Sequence, residues 1–254
     1  MQGSESTRDI NCAAKMLQET CRAAAPSALG LDKMHPKPTG KDLTIETRHV
    51  HELAEMLLQR DAPRVIIAVA GAPGSGKSTF AAELARRLSA RGKRGVVVPM
   101  DGFHLDNAVL EARSLLPRKG APETFDAQGF VRLIRAIKAQ EDVFAPSFDR
   151  MRDLSVAGAI AVPADASYVI AEGNYLMFDE SPWSELAGLW DVSIRLDVPM
   201  PELRARLIQR WLSQNLSRAV ATRRAEGNDI PNAQRVIAKA LPCDFTFDGQ
   251  QARA

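Results

Sequence analysis

The sequence has little cysteine: its 254 residues include only three, Cys12, Cys21 and Cys243. Their number is odd, and their spacing fits neither a disulfide framework nor a set of metal ligands. The histidines form no ligand pattern either, since His49 and His51 stand two residues apart on a predicted helix and therefore point to different faces. We expect free thiols in a reducing cytoplasm.

An excess of one charge and a long apolar run are also missing. Lysine and arginine number 33 and aspartate and glutamate 31, so the formal net charge is only +2. This small balance does not by itself indicate nucleic acid or an anionic membrane as a partner. No apolar run approaches the roughly 20 residues of a membrane helix, and the N-terminus lacks the pattern of a secretory signal. We expect a cytoplasmic protein without nucleic-acid or membrane partners; a homodimer is compatible with the sequence.

A complete phosphate-binding loop is present. Residues 71–78 read G-A-P-G-S-G-K-S, which matches G-x-x-x-x-G-K-[ST]. An apolar run at 64–70 precedes it, and a helical pattern with an apolar face follows, which disfavours a glycine-rich turn that binds nothing. Backbone N–H groups of such a loop converge on phosphate oxygens at a helix N-terminus. We expect nine residues to bind nucleotide: Gly71, Ala72, Pro73, Gly74, Ser75, Gly76, Lys77, Ser78 and Thr79. Among them, Lys77 can reach the β- and γ-phosphates and Ser78 can hold Mg²⁺.

Short apolar segments alternate with helical ones along the rest of the chain. Strands are predicted at 64–70, 95–100, 167–171 and 191–196, with a short fifth at 244–247. Helices are predicted at 45–60, 77–91, 127–140, 200–213, 217–226 and 231–240. This alternation predicts a three-layer α/β/α domain over residues 43–254, with a parallel sheet that binds ligands at the carboxyl ends of its strands. Residues 1–42 are poorly patterned, and we expect a flexible N-terminal extension there.

Two predicted strands end in carboxylates. Asp101 follows the second strand and Glu172 ends the third, at the same rim as the phosphate loop. One carboxylate there can accept the proton of a hydroxyl that attacks the γ-phosphate, and the other can lie beside the metal ion. The residues alone do not decide which carboxylate is the base and which lies beside the metal ion. They also leave open that each residue only forms a turn after its strand. We prefer Asp101 as the base because a segment suited to an acceptor follows it.

These motifs together resemble the P-loop kinase family that contains uridine kinase, phosphoribulokinase and bacterial pantothenate kinase. The matching segments are G-A-P-G-S-G-K-S, M-D-G-F-H, K-G-A-P-E-T-F-D, P-S-F-D-R and E-G-N-Y-L, which begin at residues 71, 100, 119, 146 and 172. The segment R-A-E-G-N-D-I-P-N-A at 224–233 is similar to bacterial proteins called fructose transport system kinases. The resemblance covers about residues 45–248.

The resemblance implies a P-loop NTPase fold with about five strands, a helical lid at about 199–230, and ATP and Mg²⁺ as cofactors. It implies Asp101 as the base and Glu172 as the acidic residue of the Walker B-type strand. The implied reaction is transfer of the γ-phosphate to a hydroxyl of a sugar, a nucleoside or a vitamin precursor. A nucleotide hydrolase or regulatory switch without an acceptor is the alternative. Uridine itself is not implied, because this chain has Asp-Gly-Phe-His where uridine kinase has Asp-Ser-Phe-Tyr.

The acceptor is expected near the segment that follows Asp101. The predicted substrate-binding residues are Asp101, Phe103, His104, Phe125, Asp126 and Arg150. Phe103 and Phe125 can form the walls of a small pocket, while Asp126 and Arg150 bind the hydroxyls or a charged group of the acceptor. Core packing for the aromatic rings, a helix cap for Asp126 and a surface charge for Arg150 are the alternatives.

Arginines are concentrated in the expected lid, with seven in residues 195–224. Arg206 and Arg210 are four residues apart and share a helix face. The family resemblance implies that this lid brings arginine to the phosphates, so we expect Arg206 and Arg210 to be catalytic together with Lys77 and Asp101. Asn228, Asp229 and Asn232 either fix the turn after the lid or border the nucleotide base.

Overall fold

Five parallel strands form the central sheet of this protein, in a computed structural model that describes residues 50–248. The strands in chain order are β1 (Val65–Gly71), β2 (Gly95–Pro99), β3 (Val143–Asp149), β4 (Leu154–Val162), β5 (Tyr168–Gly173), β6 (Val192–Asp197) and β7 (Phe245–Asp248). The parallel sheet has the order β2-β5-β1-β6-β7, while β3 and β4 pair separately as an antiparallel hairpin. The predicted fold class is confirmed, and every predicted strand is present within one or two residues.

Helices cover the sheet. They are α1 (Val50–Leu58), α2 (Lys77–Ala90), α3 (Asn107–Ala112), α4 (Ala127–Lys138), α5 (Met200–Leu212), α6 (Arg218–Arg224) and α7 (Ile230–Ala238). A π-helical turn, Ala225–Asp229, joins α6 to α7 where a continuous helix to residue 226 was predicted. The first part of the predicted helix at 45–60, and the predicted extension at 1–42, lie outside the described residues. Within residues 50–248, no helix is long and apolar enough to cross a membrane.

Strand β1 is buried on both faces, and its side chains divide between two apolar cores. Ile66, Ala68 and Ala70 pack into one core with α4 and α7. Their neighbours, such as Ile67, pack into the other core with α1 and α2. Because side chains alternate between the two faces of a strand, a continuous apolar run such as this one marks the centre of a sheet covered on both sides.

The hairpin β3–β4 was not predicted from the sequence. Strand β4 reads L-S-V-A-G-A-I-A-V and contains a single polar residue, so it lacks the apolar and polar alternation that signals a half-buried strand. The hairpin packs against the short helical turn Met100–Phe103 so tightly that a Cβ atom on Gly102 would lie 2.3 Å from the carbonyl oxygen of Pro146. This packing brings the end of β3 beside Asp101.

A buried arginine ties the amino end of β1 to the surrounding loops. Arg64 is 7% exposed, and its guanidinium donates hydrogen bonds to three carbonyl oxygens, those of Ile137, Pro163 and Ala166, over 2.6–3.0 Å. These oxygens come from the end of α4 and from the connection between β4 and β5. One side chain therefore satisfies acceptors that would otherwise be buried without partners.

We expect Arg64→Met to lower the free energy of unfolding by about 3 kcal/mol, because it leaves buried carbonyl oxygens without donors. Urea denaturation followed by circular dichroism measures this change. Arg94→Met is the matched control: Arg94 is exposed and its contact with Asp165 is 3.5 Å long, so its loss should cost less than about 0.5 kcal/mol. Equal effects of the two substitutions would contradict the structural role of Arg64.

Candidate active site

A cavity of 1540 Å³ opens at the carboxyl ends of β1, β2 and β5. Its floor is the loop 73–79, and its walls come from the strand ends, the hairpin and the helices α5 and α6. Of the predicted site residues, the structure brings the following to this cavity: Pro73, Gly74, Ser75, Gly76, Lys77, Ser78, Thr79, Asp101, His104, Phe125, Arg150, Glu172, Arg206 and Arg210. Gly71 and Ala72 lie just before them, at the end of β1.

The backbone of the loop requires glycine at two positions. Gly76 precedes α2 with a φ of 95°, in the left-handed region that glycine adopts without strain. Gly71 lies so close to β6 that a Cβ atom would be 2.8 Å from the carbonyl oxygen of Leu196. The loop can therefore curve at the N-terminus of α2, where backbone N–H groups bind anions.

Lys77 lies at the centre of the loop with its charge buried. Its Nζ donates a hydrogen bond to the carbonyl oxygen of Ala72 over 3.0 Å, and the residue is 7% exposed. Burial lowers the pKa of the Lys77 ammonium, and the carboxylates of Glu172 and Asp101 act in the opposite direction. Two acidic strand ends are thus close enough to act on the ammonium, and further negative charge nearby would stabilise it.

Glu172 faces the same point from β5. Its Oε1 accepts a hydrogen bond from the Ser78 hydroxyl over 2.9 Å. Burial raises the pKa of Glu172, while Lys77 lowers it. A hydroxyl and a carboxylate at hydrogen-bond distance are both oxygen ligands of the kind that Mg²⁺ prefers.

The loop residues fit a bound triphosphate and its metal ion. The Ser75 hydroxyl is buried in the loop with no hydrogen-bond partner among residues 50–248, so a phosphate oxygen would satisfy it. No cluster of three or more metal-ligating side chains occurs in that same part of the chain. A magnesium ion here would therefore take part of its coordination from phosphate oxygens and water, as it commonly does in kinases.

Asp101 lies beside the hairpin. Its Oδ2 accepts a hydrogen bond from Nη2 of Arg150 over 2.6 Å, and Arg150 is 67% exposed at its side chain. The turn Met100–Phe103 that carries Asp101 follows β2 directly. The hairpin thus supplies the cation that accompanies this carboxylate in the structure.

His104 is stacked between two aromatic rings. The centroid of its ring lies 4.0 Å from that of Phe125 and 4.6 Å from that of Phe148. Its Nδ1 is 2.8 Å from the carbonyl oxygen of Asp101, which can only accept, so Nδ1 carries the proton when the ring is neutral. Burial lowers the pKa of His104, with Asp101 acting in the opposite direction. The neutral ring therefore keeps Nε2 as a hydrogen-bond acceptor.

Two of the predicted acceptor residues do not line this cavity, which corrects the predicted pocket. Phe103 packs edge to face against Phe130 at a centroid distance of 5.1 Å. Asp126 caps α4, where its Oδ1 accepts a hydrogen bond from the Gly129 N–H over 2.8 Å. Core packing and helix capping, the alternative explanations of these residues, agree with these contacts.

Sequence reasoning gave no individual site role to several residues that line this part of the cavity, among them Lys119, Phe148 and Asp153. Lys119 Nζ lies 2.9 Å from Oδ1 of Asp153 and 5.1 Å from the centre of the Phe148 ring. Lys119 and Phe148 belong to segments that carry the family resemblance, and this membership is the sequence signal that could have identified them as cavity residues. Asp153 lies in the turn of the unpredicted hairpin and had none.

The two predicted lid arginines reach the cavity from α5. Arg206 donates from Nη1 to the carbonyl oxygen of Gly74 over 3.3 Å and also contacts Glu202. Arg210 contacts Asp229 over 2.9 Å. Arg210 also lies near enough to Lys77 to add to the lowering of its pKa that burial causes. Both guanidinium groups are therefore close to the phosphate loop.

Comparison with known proteins identifies the family. Residues 66–232 match the model of the phosphoribulokinase / uridine kinase family. The chain belongs to this family. It is 36% identical over 201 residues to the uncharacterized Escherichia coli protein YggC, covering 78% of this chain and 84% of that protein. A Schizosaccharomyces pombe protein named as a candidate uridine kinase is 37% identical over 209 residues, which cover 77% of this chain and 87% of that protein.

A solved structure agrees with the family assignment. The crystal structure of a candidate fructose transport system kinase from Silicibacter sp. TM1040 is similar, with a TM-score of 0.75 and 53% sequence identity. The match covers 78% of this chain and 98% of that one. The protein is thus an ATP-dependent small-molecule kinase with a P-loop fold, as the sequence predicted.

The lowered pKa of His104 has a consequence for stability. A group whose pKa is lower in the folded state contributes stability above its unfolded pKa, about 6.5, and loses it as the pH falls. We expect the unfolding free energy of the wild type, minus that of His104→Gln, to decrease between pH 7.5 and pH 5. Urea denaturation at several pH values measures it; a difference that stays constant or increases on acidification would show that burial does not disfavour the charged ring.

Proposed function

We propose that this kinase transfers the γ-phosphate of ATP to a hydroxyl group of a small metabolite, namely a sugar, a nucleoside or a vitamin precursor. One observation carries the proposal: the phosphate loop, Asp101 and Glu172 line one cavity, and both carboxylates are near enough to Lys77 to act on its pKa. A nucleotide hydrolase without an acceptor would need only the part of the cavity beside the phosphate loop. This cavity is also lined by the side chains of His104 and Phe125.

Binding of the donor falls to the loop 71–79. Its backbone N–H groups hold the phosphates, and the buried Lys77 ammonium follows the charge on the transferring group. Ser78, with Glu172 beside it, would hold a magnesium ion, whose charge would neutralise part of the negative charge of the phosphates. Arg206 and Arg210 approach from α5 and stabilise the charge that develops on the transferring group.

Activation of the acceptor falls to Asp101. Glu172 is hydrogen-bonded to Ser78 on the metal side, whereas Asp101 lies on the side of His104 and Arg150. This division supports Asp101 as the base that accepts the hydroxyl proton and Glu172 as the carboxylate near the metal. Arg150 is exposed enough to turn toward the acceptor, and His104 Nε2 can accept a hydrogen bond from a second hydroxyl.

The names of the relatives suggest acceptors without fixing one. Uridine and fructose both carry a primary hydroxyl, and each is part of the name of one similar protein. The Asp-Gly-Phe-His segment departs from uridine kinase, so a broad set of hydroxylated metabolites is the appropriate test. The cytoplasmic location, the absence of nucleic-acid and membrane partners and the homodimer stay predictions from the sequence.

Acceptor dependence is the decisive test of the proposal. Release of ADP from ATP and Mg²⁺ should be slow alone and should rise at least tenfold with one member of a panel of sugars, nucleosides and vitamin precursors. A coupled assay detects ADP, and mass spectrometry detects the phosphorylated product. Fast ADP release that no acceptor changes, with inorganic phosphate as the product, would favour the hydrolase alternative.

Lys77→Ala should reduce phosphoryl transfer by more than about 100-fold, because it deletes the buried cation beside the moving phosphate. Lys93→Ala is the matched control, since Lys93 lies on the exposed turn after α2. Steady-state kinetics with the acceptor from the panel compares them. Near-normal turnover of Lys77→Ala would refute the assigned role of the loop.

Asp101→Asn should reduce kcat by about 10²- to 10⁴-fold while changing the Kd for ATP less than threefold, because a general base acts mainly in the transition state. Calorimetry gives the Kd and steady-state assays give kcat. Asp165→Asn, at an exposed position, controls for loss of a carboxylate. If ATP affinity falls as much as kcat does, Asp101 serves the metal ion and the roles of Asp101 and Glu172 are exchanged.

A further inference from the structure

The π-helical turn Ala225–Asp229 directs one carboxylate into the cavity. Such turns insert an extra residue into a helix and are frequent at functional sites. Asp229, the last residue of this turn, lines the cavity, and its side chain is only 13% exposed. The exposed Glu226 of the same turn contacts Arg204 instead.

Both oxygens of Asp229 bind side chains of α5. Oδ1 accepts a hydrogen bond from Nη2 of Arg210 over 2.9 Å, and Oδ2 accepts one from Nε1 of Trp211 over 2.6 Å. The guanidinium of Arg210 also lies over the Trp211 ring, 5.4 Å from its centre, and Arg224 lies 5.1 Å from it. Asp229 therefore holds Arg210 directly and also through the indole against which Arg210 packs.

We propose that Asp229 is a positioning residue, which fixes Arg210 where it contacts the γ-phosphate. The inference rests on the proposed function, in which Arg210 stabilises the transferring group. An unrestrained arginine has many rotamers, and a charged hydrogen bond selects one of them. Arg206 has its own carboxylate, Glu202, and already contacts the carbonyl oxygen of Gly74. Each of the two lid arginines is thus oriented by an acidic partner.

The position of Arg210 relates its orientation to the number of phosphates on the nucleotide. Arg210 and the buried Lys77 line the same cavity, and Arg210 is near enough to act on the pKa of Lys77, so two cations share this part of the molecule. Like charges repel unless an anion lies between them. The γ-phosphate is the anion that ATP has and ADP lacks, so a correctly placed Arg210 makes the protein prefer a triphosphate.

The preference for a third phosphate can be measured without an acceptor. Calorimetry with Mg²⁺ gives the Kd for ADP and the Kd for the nonhydrolysable ATP analogue AMP-PNP. The readout is the Kd for ADP divided by the Kd for AMP-PNP, which is large when the protein prefers a triphosphate. Arg210→Ala should lower this ratio about tenfold. Asp229→Asn, nearly identical in shape, should lower it three- to tenfold, and the double variant should match Arg210→Ala because both changes remove one interaction.

Glu226→Gln is the control, since it removes a carboxylate from the same turn but outside the cavity, and it should leave the ratio within twofold of the wild-type value.

Folding of the variants is checked first. Asp229→Ser is made as well as Asp229→Asn, and the variant whose circular dichroism spectrum matches that of the wild type is used for the test. If the Asp229 variant keeps the wild-type ratio while Arg210→Ala lowers it, the positioning role of Asp229 is wrong but the role of Arg210 stands. A ratio in the double variant that is lower than the ratio in Arg210→Ala also contradicts the positioning role, because Asp229 then acts independently of Arg210. A wild-type ratio in Arg210→Ala overturns both the inference and the role of Arg210, while the acceptor panel still tests the kinase reaction separately.

Discussion

The buried charge of Lys77 is the constraint on which the rest of the site depends. A cation removed from water is costly unless opposite charges accompany it. The protein supplies Glu172 and Asp101 from the ends of two strands, yet Lys77 still has a lowered pKa because its burial outweighs them. Further negative charge near Lys77, such as that of the proposed nucleotide phosphates, would therefore stabilise its charged form.

The sheet explains why these charges meet. Both faces of β1 are packed into apolar cores and β1 carries no polar side chain, so the polar groups of the site come from the ends of the strands. Because β1, β2 and β5 are parallel neighbours, their carboxyl ends lie at one edge. The phosphate loop, Asp101 and Glu172 follow these three strands and must converge there.

Part of the cavity is formed by elements outside the sheet. The hairpin side contributes Phe148, Arg150 and Asp153, and the α5 and α6 side contributes arginines. Contacts between the two sides also exist, since Nδ2 of Asn228 donates a hydrogen bond to the carbonyl oxygen of Lys119 over 2.7 Å. Relatives that share the sheet and the loop can therefore differ in their acceptors through these outer elements.

The sequence by itself determined the sheet, the phosphate loop and the two strand-end carboxylates. Each of these depends on a local pattern: an apolar run, glycines at fixed spacing, or an acidic residue directly after a strand. Such patterns are readable because strand, loop and helix formation are decided mainly by neighbours along the chain.

Only the tertiary structure decided which other residues reach the cavity. It packed Phe103 against the core and placed Asp126 on a helix cap, and it brought Phe148 beside His104 and Asp229 beside Arg210. His104 and Phe148 are 44 residues apart in the sequence, and Arg210 and Asp229 are 19 apart. Contacts at such separations depend on how a hairpin and a π-helical turn pack, and neither leaves a periodic signal in the residues that form it.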